Sequence, residues 1–248
     1  MVFFDPGGDG MRIDKMLANL GFGSRKDVKK LLKDGAVEIN QQKIKDAKQH
    51  VDPEKDIVTI NGEKVEYKKF IYLMLNKPQD VISATEDSQH QTVLDLLEMD
   101  DLIFSPFPVG RLDKDTEGLL LLTNDGQLAH RLLSPKKHVP KTYFAVINSE
   151  VTEEDVLAFS EGVTLDDGYK TKPGDLKIIK SGLTSDIELT ITEGKFHQVK
   201  RMFEAVGKRV IYLQRVSMGS LQLDESLELG EYRELTDEEI TQLLEYEV

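Results

Sequence analysis

The chain of 248 residues contains no cysteine. That excludes disulfides, thiolate nucleophiles and cysteine-ligated zinc, and it fits a reducing compartment. No apolar run comes near the roughly 20 residues a membrane span needs, and no secretory pattern opens the chain. A soluble protein of the cytoplasm is expected. Positive charge is also scarce: 32 Lys and Arg stand against 45 Asp and Glu, a formal net charge of −13. A partner rich in phosphate needs basic surface, so such a partner is accommodated only if the charge is unevenly placed. Neither a glycine-rich nucleotide loop nor a convincing metal-ligand cluster is present.

The charge is indeed uneven. Ser217–Val248 holds ten acidic residues and one basic, and Glu150–Asp167 holds seven acidic and none basic, which leaves +3 for everything else. Local basic surface, not the total, governs contact with phosphates. The acidic tracts read either as faces kept away from a polyanion or as plain solubilising charge. Hydrophobic residues make up 39%, enough for one large domain or two smaller ones.

The most informative stretch is Val109–Gly126, VGRLDKDTEGLLLLTNDG. Four consecutive leucines cannot face water on alternate sides, so this half is a strand buried on both faces. Asn124-Asp125-Gly126 then reads as a tight turn. The polar half is a charged loop mounted on that rigid strand, the usual setting of a reactive side chain. Asp113 is the candidate, with Arg111 two residues before it. Asp115, Thr116 and Glu117 also suit turn or capping positions. A calcium loop is ruled out, because Asn124 stands where the bidentate Glu is needed and leucines replace ligand positions.

Around this stretch the chain falls into segments. Residues 1–10, with three glycines and a proline, read as an extension or fusion scar, and residues 11–66 as a compact unit. Ile13, Met16, Leu17 and Leu20 recur at helical spacing, and Ser24 caps a second helix over 25–33. That helix turns Arg25, Lys26, Lys29, Lys30 and Lys33 outward. The same pattern suits a phosphate-binding face or an ordinary solvated lysine face. Short strands follow at 36–39 and 56–60. Residues 67–70 are a link, and 71–242 a second domain. It contains a strand at 70–75, a short helix at 92–99, a helix at 127–133, and strands at 141–146, 187–192 and 210–217. An acidic helix over 150–162 and a helix capped by Thr236 complete it.

The string G-R-L-D-x-x-T-x-G-L-L-L-L-T-N-D-G over Gly110–Gly126 resembles the central motif of the RsuA/RluB/RluE/RluF family of pseudouridine synthases. Tyr72–Pro78, YLMLNKP, resembles that family's first catalytic strand, with Asp80 where glycine is common. Lys141-Thr142-Tyr143 resembles its second motif, and Glu193–Phe203, EGKFHQVKRMF, its third. Thr171–Gly174 and Gly230–Leu235 resemble segments of the RsuA branch. The pattern R-I-D-K-x-L…S-R-K-x-V-x-x-L-L-x-x-G-x-V-x-I-N of the first unit resembles the S4 (alpha-L) RNA-binding domain. The likeness runs over about residues 11–242.

The resemblance implies an α+β protein: an S4 domain joined to a catalytic domain with a mixed, mainly antiparallel central sheet. It implies isomerisation of uridine to pseudouridine in 16S rRNA, at the uridine 516 site, without cofactor or metal. Asp113 would be catalytic and Tyr143 would lie against the base, although from pattern alone Tyr143 is equally a core aromatic. Lys200 or the adjacent Arg201 would be the cation beside Asp113, where otherwise they form a solvated first turn. Arg111 and Thr116 would support the loop. His197 reads as a structural histidine. Arg12, Ser24, Arg25, Lys26, Lys29 and Lys30 would contact RNA from the S4 unit, and Lys141, Lys172, Lys195 and Arg215 from the catalytic domain. The expected partner is rRNA, as small-subunit RNA or an assembling 30S particle, met by a monomer without membrane attachment. A large-subunit (23S) substrate, and a non-catalytic ribosome-binding role, are the alternatives.

Overall fold

The computed structural model describes residues 10–53, 55–65 and 67–246, so all but Gly10 of the expected N-terminal extension lies outside it. The chain divides into two compact units. One runs to Ile71 and takes in Glu98–Ser105; the other comprises Tyr72–Leu97 and the chain from Pro106 onward.

In the first unit, β1 (Met11–Arg12) pairs antiparallel with β4 (His50–Val51). Arg12 is therefore extended, and α1 (Ile13–Asn19) begins directly after it. α2 (Arg25–Lys33) starts in a capping box: Ser24 Oγ accepts from Asp27 N at 3.3 Å, and the Asp27 carboxylate accepts from Ser24 N at 2.9 Å. β2 (Val37–Ile39), β3 (Gln42–Lys43), β5 (Val58–Ile60) and β6 (Glu63–Val65) form an antiparallel sheet in the order β3-β2-β5-β6. Ile13, Met16 and Leu17 of α1 and Val28 and Leu32 of α2 close over Val37, Val51 and Val58 to make this unit's own core. The helix expected over 92–99 is instead a single 3-10 turn, Val93–Leu96, whose entry Thr92 is held by the Asp95 carboxylate at 2.7 Å. α3 (Met99–Leu102) follows it and belongs with the first unit.

The second unit is built on one sheet. Its strands are β7 (Tyr72–Lys77), β8 (Phe107–Pro108), β9 (Glu117–Thr123), β10 (Lys141–Ile147), β11 (Asp175–Lys180), β12 (Ser185–Ile191), β13 (Val210–Met218), β14 (Leu221–Gln222) and β15 (Tyr232–Glu234). The order is β11-β12-β10-β13-β9-β7-β15, with β8 on β9 and β14 on β13. β9 and β13 run parallel and the other pairs antiparallel, so the sheet is mixed and mainly antiparallel, in an α+β protein.

β9 is the strand of four leucines, and all seven of its residues are buried. Leu119 and Leu121 face a cluster with Leu128 and Leu132 of α4 (Gly126–Leu133) and Leu243 of α7 (Asp237–Glu245). Leu120 and Leu122, also inaccessible, alternate to the opposite face. At that strand's end the expected tight turn is a helix start: the Asp125 carboxylate accepts from the amides of Gln127 and Leu128, each at 3.0 Å, and so caps α4. Elsewhere α5 (Glu153–Glu161) and α6 (Gln198–Ala205) meet through Phe159 and Phe203, ring centroids 4.9 Å apart. Arg233 of β15 forks onto the Glu239 carboxylate of α7, both contacts 2.8 Å. Among the described residues no helix is long and apolar enough to cross a membrane.

Gly118 is where the backbone itself is demanding. Its φ is +101°, and a Cβ there would lie 2.3 Å from the Arg215 carbonyl oxygen. Only glycine lets β9 approach β13 closely enough to pair, and this contact fixes the strand directly after the charged loop.

Candidate active site

β8 runs antiparallel beside the end of β9, and Val109 N donates to Leu121 O at 2.8 Å. The chain then loops over residues 110–116 and re-enters the sheet as β9, with Asp113 in the loop. Four ties hold that loop. Thr116 N donates to Asp113 O at 3.0 Å, closing a turn. Asp80 N donates to Lys114 O at 2.9 Å, from a residue with φ of +65°, a conformation that favours glycine. Ser83 Oγ both accepts from Leu112 N and donates to Leu112 O, each at 3.0 Å. Lys77, at the end of β7 and wholly buried, donates to Thr116 O and Pro78 O, both at 2.9 Å. Burial pushes its ammonium down to about 8, against the pull of Asp113, Asp115, Glu117 and Asp80.

The Asp113 carboxylate is about a third exposed and faces two nitrogens: Lys200 Nζ at 3.5 Å and His197 Nε2 at 3.7 Å. Lys200 makes its closer contact with Asp115, at 2.5 Å. Burial acts to raise the Asp115 carboxyl, but the hydrogen bond and charge of Lys200 outweigh it and hold Asp115 below its ordinary range. Lys200 thus stands between two carboxylates, one cation shared by Asp113 and Asp115. Arg201, the next residue on α6, turns elsewhere: it ion-pairs with Asp166 and with Asp167, at 2.7 Å for Nη2 to Asp167 Oδ2. The cation beside Asp113 is Lys200.

Asp113, Arg111, Thr116, Tyr143, Lys141, Lys172, Lys195 and Arg215 all line one cleft of about 720 Å³. Tyr143 is buried in β10, directly opposite Arg215 of β13 and Leu189 of β12. Arg215, expected to contact RNA, lines the cleft from a buried position. It is 2% exposed, with Nε donating to Leu119 O at 2.8 Å and Nη2 buried without a protein partner. Thr116 Oγ1 is likewise buried without a partner. Lys141 Nζ donates to Val139 O at 3.1 Å; burial, and then the Arg215 charge, push its ammonium down to about 8. Lys172 Nζ lies 2.6 Å from His138 Nδ1, and Lys195 Nζ stands 4.4 Å over the Tyr169 ring.

The remaining expected contacts lie in the first unit. Arg25, Lys26, Lys29 and Lys30 are exposed on α2. Ser24 spends its hydroxyl on the α2 cap, donating to Asp27 at 2.5 Å. Arg12 is engaged by the buried Asp14, at 2.6 and 3.0 Å. Lys77 and Ser83 are site residues that sequence reasoning missed, and Asp115 and His197, read as a turn residue and a structural histidine, also stand at the site. For Lys77 the signal was a lysine ending an apolar strand, where its charge is buried with it. Among the described residues no group of three His, Asp or Glu is placed to hold a metal ion.

A family model described as RNA pseudouridylate synthase matches residues 71–205, a span that carries the Asp113 loop, Tyr143 and Lys200. The chain belongs to this family. An S4 domain model matches residues 11–58, so this pseudouridine synthase carries an N-terminal S4 domain. It is 61% identical to the uncharacterized RNA pseudouridine synthase YtzG of Bacillus subtilis over 93% of this chain and 97% of that protein. It is 38% identical to the ribosomal small subunit pseudouridine synthase A of Escherichia coli, over 94% of this chain and 100% of that one. A crystal structure of a pseudouridylate synthase superposes with a TM-score of 0.66 at 39% identity, covering 94% of this chain and 100% of the other. The protein is a pseudouridine synthase that isomerises uridine in RNA.

Proposed function

We propose that the substrate is 16S rRNA, at the uridine 516 site, and that Asp113 is the catalytic group. The observation that carries the reading is a partly exposed carboxylate on a four-way braced loop, opening on a cleft and faced by Lys200 at 3.5 Å. The small-subunit choice is supported by the name of the Escherichia coli relative, which spans its full length on this chain. A monomer acting in the cytoplasm on small-subunit RNA or an assembling 30S particle completes the proposal.

The target base is stacked in RNA and must first be extruded, at a cost of about a few kcal/mol. Phosphate contacts from α2 of the S4 domain and from the cleft lysines offset that cost. Tyr143 lies against the extruded base. The ionised Asp113 then either bonds to C1′ as the N1–C1′ bond breaks, the electron pair leaving on N1, or takes the 2′ proton so that elimination releases the base. After the ring turns, C5 bonds to C1′, the aspartate is regenerated, and the C5 proton departs to solvent. Lys200 Nζ, 3.5 Å away, supplies the positive charge beside this carboxylate.

Loss of the C5 proton supplies the test: tritium release from 5-tritiated uridine in small-subunit particles and, separately, in large-subunit RNA. Release from the small-subunit substrate that disappears in Asp113→Asn is the expected result. Release from large-subunit RNA alone would overturn the substrate assignment. Release surviving in a clean Asp113→Asn preparation would overturn the catalytic one.

A further inference from the structure

Phe196 is an anomaly at the rim of the cleft. Its ring is 74% exposed, yet it is not loose. It stacks on the His197 imidazole, with centroids 3.7 Å apart and planes inclined by 19°. His197 has φ of +49°, an uncommon conformation for a residue other than glycine, and its Nε2 faces Asp113 at 3.7 Å. Arg201 Nη1 donates to the Phe196 carbonyl at 3.4 Å, and Arg201 is itself gripped by Asp166 and Asp167. The cation turned away from Asp113 therefore anchors the backbone that presents the aromatic pair.

The surroundings identify what the ring meets. Lys195 and Lys172 stand on the same cleft wall, beside Tyr169. Cations that follow a phosphate backbone, interleaved with aromatic faces, are how proteins hold unpaired nucleic acid. An apolar protein partner would meet a wider apolar patch and fewer cations.

We propose that Phe196 is a stacking platform for an unpaired nucleobase next to the target uridine, the Phe196–His197 pair continuing the RNA stack to the edge of the reactive aspartate. The proposal rests on the reading of this cleft as the pseudouridine-forming site. It assigns to the third motif a recognition role separate from the charge partner it supplies through Lys200.

The chain contains no tryptophan, so Phe196→Trp introduces the sole indole, excitable apart from the seven tyrosines, at the platform. In an Asp113→Asn background the RNA complex persists for measurement. Titration with a 16S rRNA fragment should quench the indole emission in step with the anisotropy of labelled RNA. In the otherwise native enzyme, Phe196→Ala should raise KM for RNA roughly 10-fold while kcat changes little, the expected size of one lost base stack. Phe196→Tyr should restore KM. Indole emission that stays constant at saturating RNA overturns the proposal, as does Phe196→Ala with unchanged KM or with its loss confined to kcat. Absence of tritium release from the native enzyme on either ribosomal RNA would instead overturn the underlying reading of the cleft.

Discussion

Lys77 Nζ, on a side chain with no solvent exposure, donates to the carbonyl of Thr116 at 2.9 Å, across the root of the loop that carries Asp113. Lys77→Met keeps the volume and removes the donor, leaving the buried Thr116 carbonyl and the half-buried Pro78 carbonyl without it. A stability loss of about 1–3 kcal/mol is expected. Single-turnover tritium release should slow by roughly 100-fold, the penalty for about 1 Å of misplacement, with RNA affinity little altered. Urea denaturation and a single-turnover assay check both; wild-type turnover would show that the loop does not depend on this brace.

Asp113→Asn should bind RNA as the native enzyme does and release no tritium. Lys200→Met should also turn over poorly, and it carries a second signature. Asp115 is held below the usual carboxylate range by Lys200, so this pairing stabilises the fold above the unfolded carboxyl's pKa near 3.8 and is lost as pH falls through the lower folded value. The stability gap between native enzyme and Lys200→Met should therefore be present at neutral pH and close in acid. A gap independent of pH would argue that Lys200 is not Asp115's partner in solution.

Lys141 predicts the opposite trend on the alkaline side. Its folded value, about 8, lies below the ordinary 10.5, because burial and Arg215 disfavour the charged form. The resulting penalty is fully present below pH 8 and relieved as pH rises from there toward 10.5. Relative to Lys141→Met, the native enzyme should gain stability across that interval. Paired denaturation curves at its two ends measure the change, and parallel behaviour of the two proteins would contradict it.

Ser83→Ala removes a hydroxyl that serves both the amide and the carbonyl of Leu112. Two buried backbone groups lose a partner, and a cost of about 1–3 kcal/mol is expected. Turnover should fall with it, because Leu112 precedes Asp113. Thermal unfolding and a tritium assay below the melting range separate the two effects; an unchanged melting point would remove Ser83 from the loop's support.

Much of this was legible in the sequence, for local reasons. Leu119–Leu122 had to be a strand covered on both faces, and Thr236 had to cap a helix. What stayed hidden was tertiary. Lys77 precedes a proline and reads as a turn cation; only its pairing with Thr116 shows it inside. Lys200 and Arg201 are neighbours on α6, and successive helical residues point about 100° apart, so they could not both face Asp113. Periodicity could not choose between them. Asp125-Gly126 suits a tight turn or a capped helix equally, and the apolar face of α4 decided for the helix. Arg215 was expected to contact RNA, but its burial on β13 opposite Tyr143 was not legible, since arginines are usually exposed.

The burial of β9 on both faces sets a clock on the enzyme's loss of function. Flanked by β7 on one side and by β13 and β8 on the other, its amides are shielded from solvent exchange until the sheet itself opens. The loop that carries the aspartate leads directly into this strand. Catalytic competence on heating should therefore persist until cooperative melting, and then vanish together with deuterium protection at Leu119–Leu122.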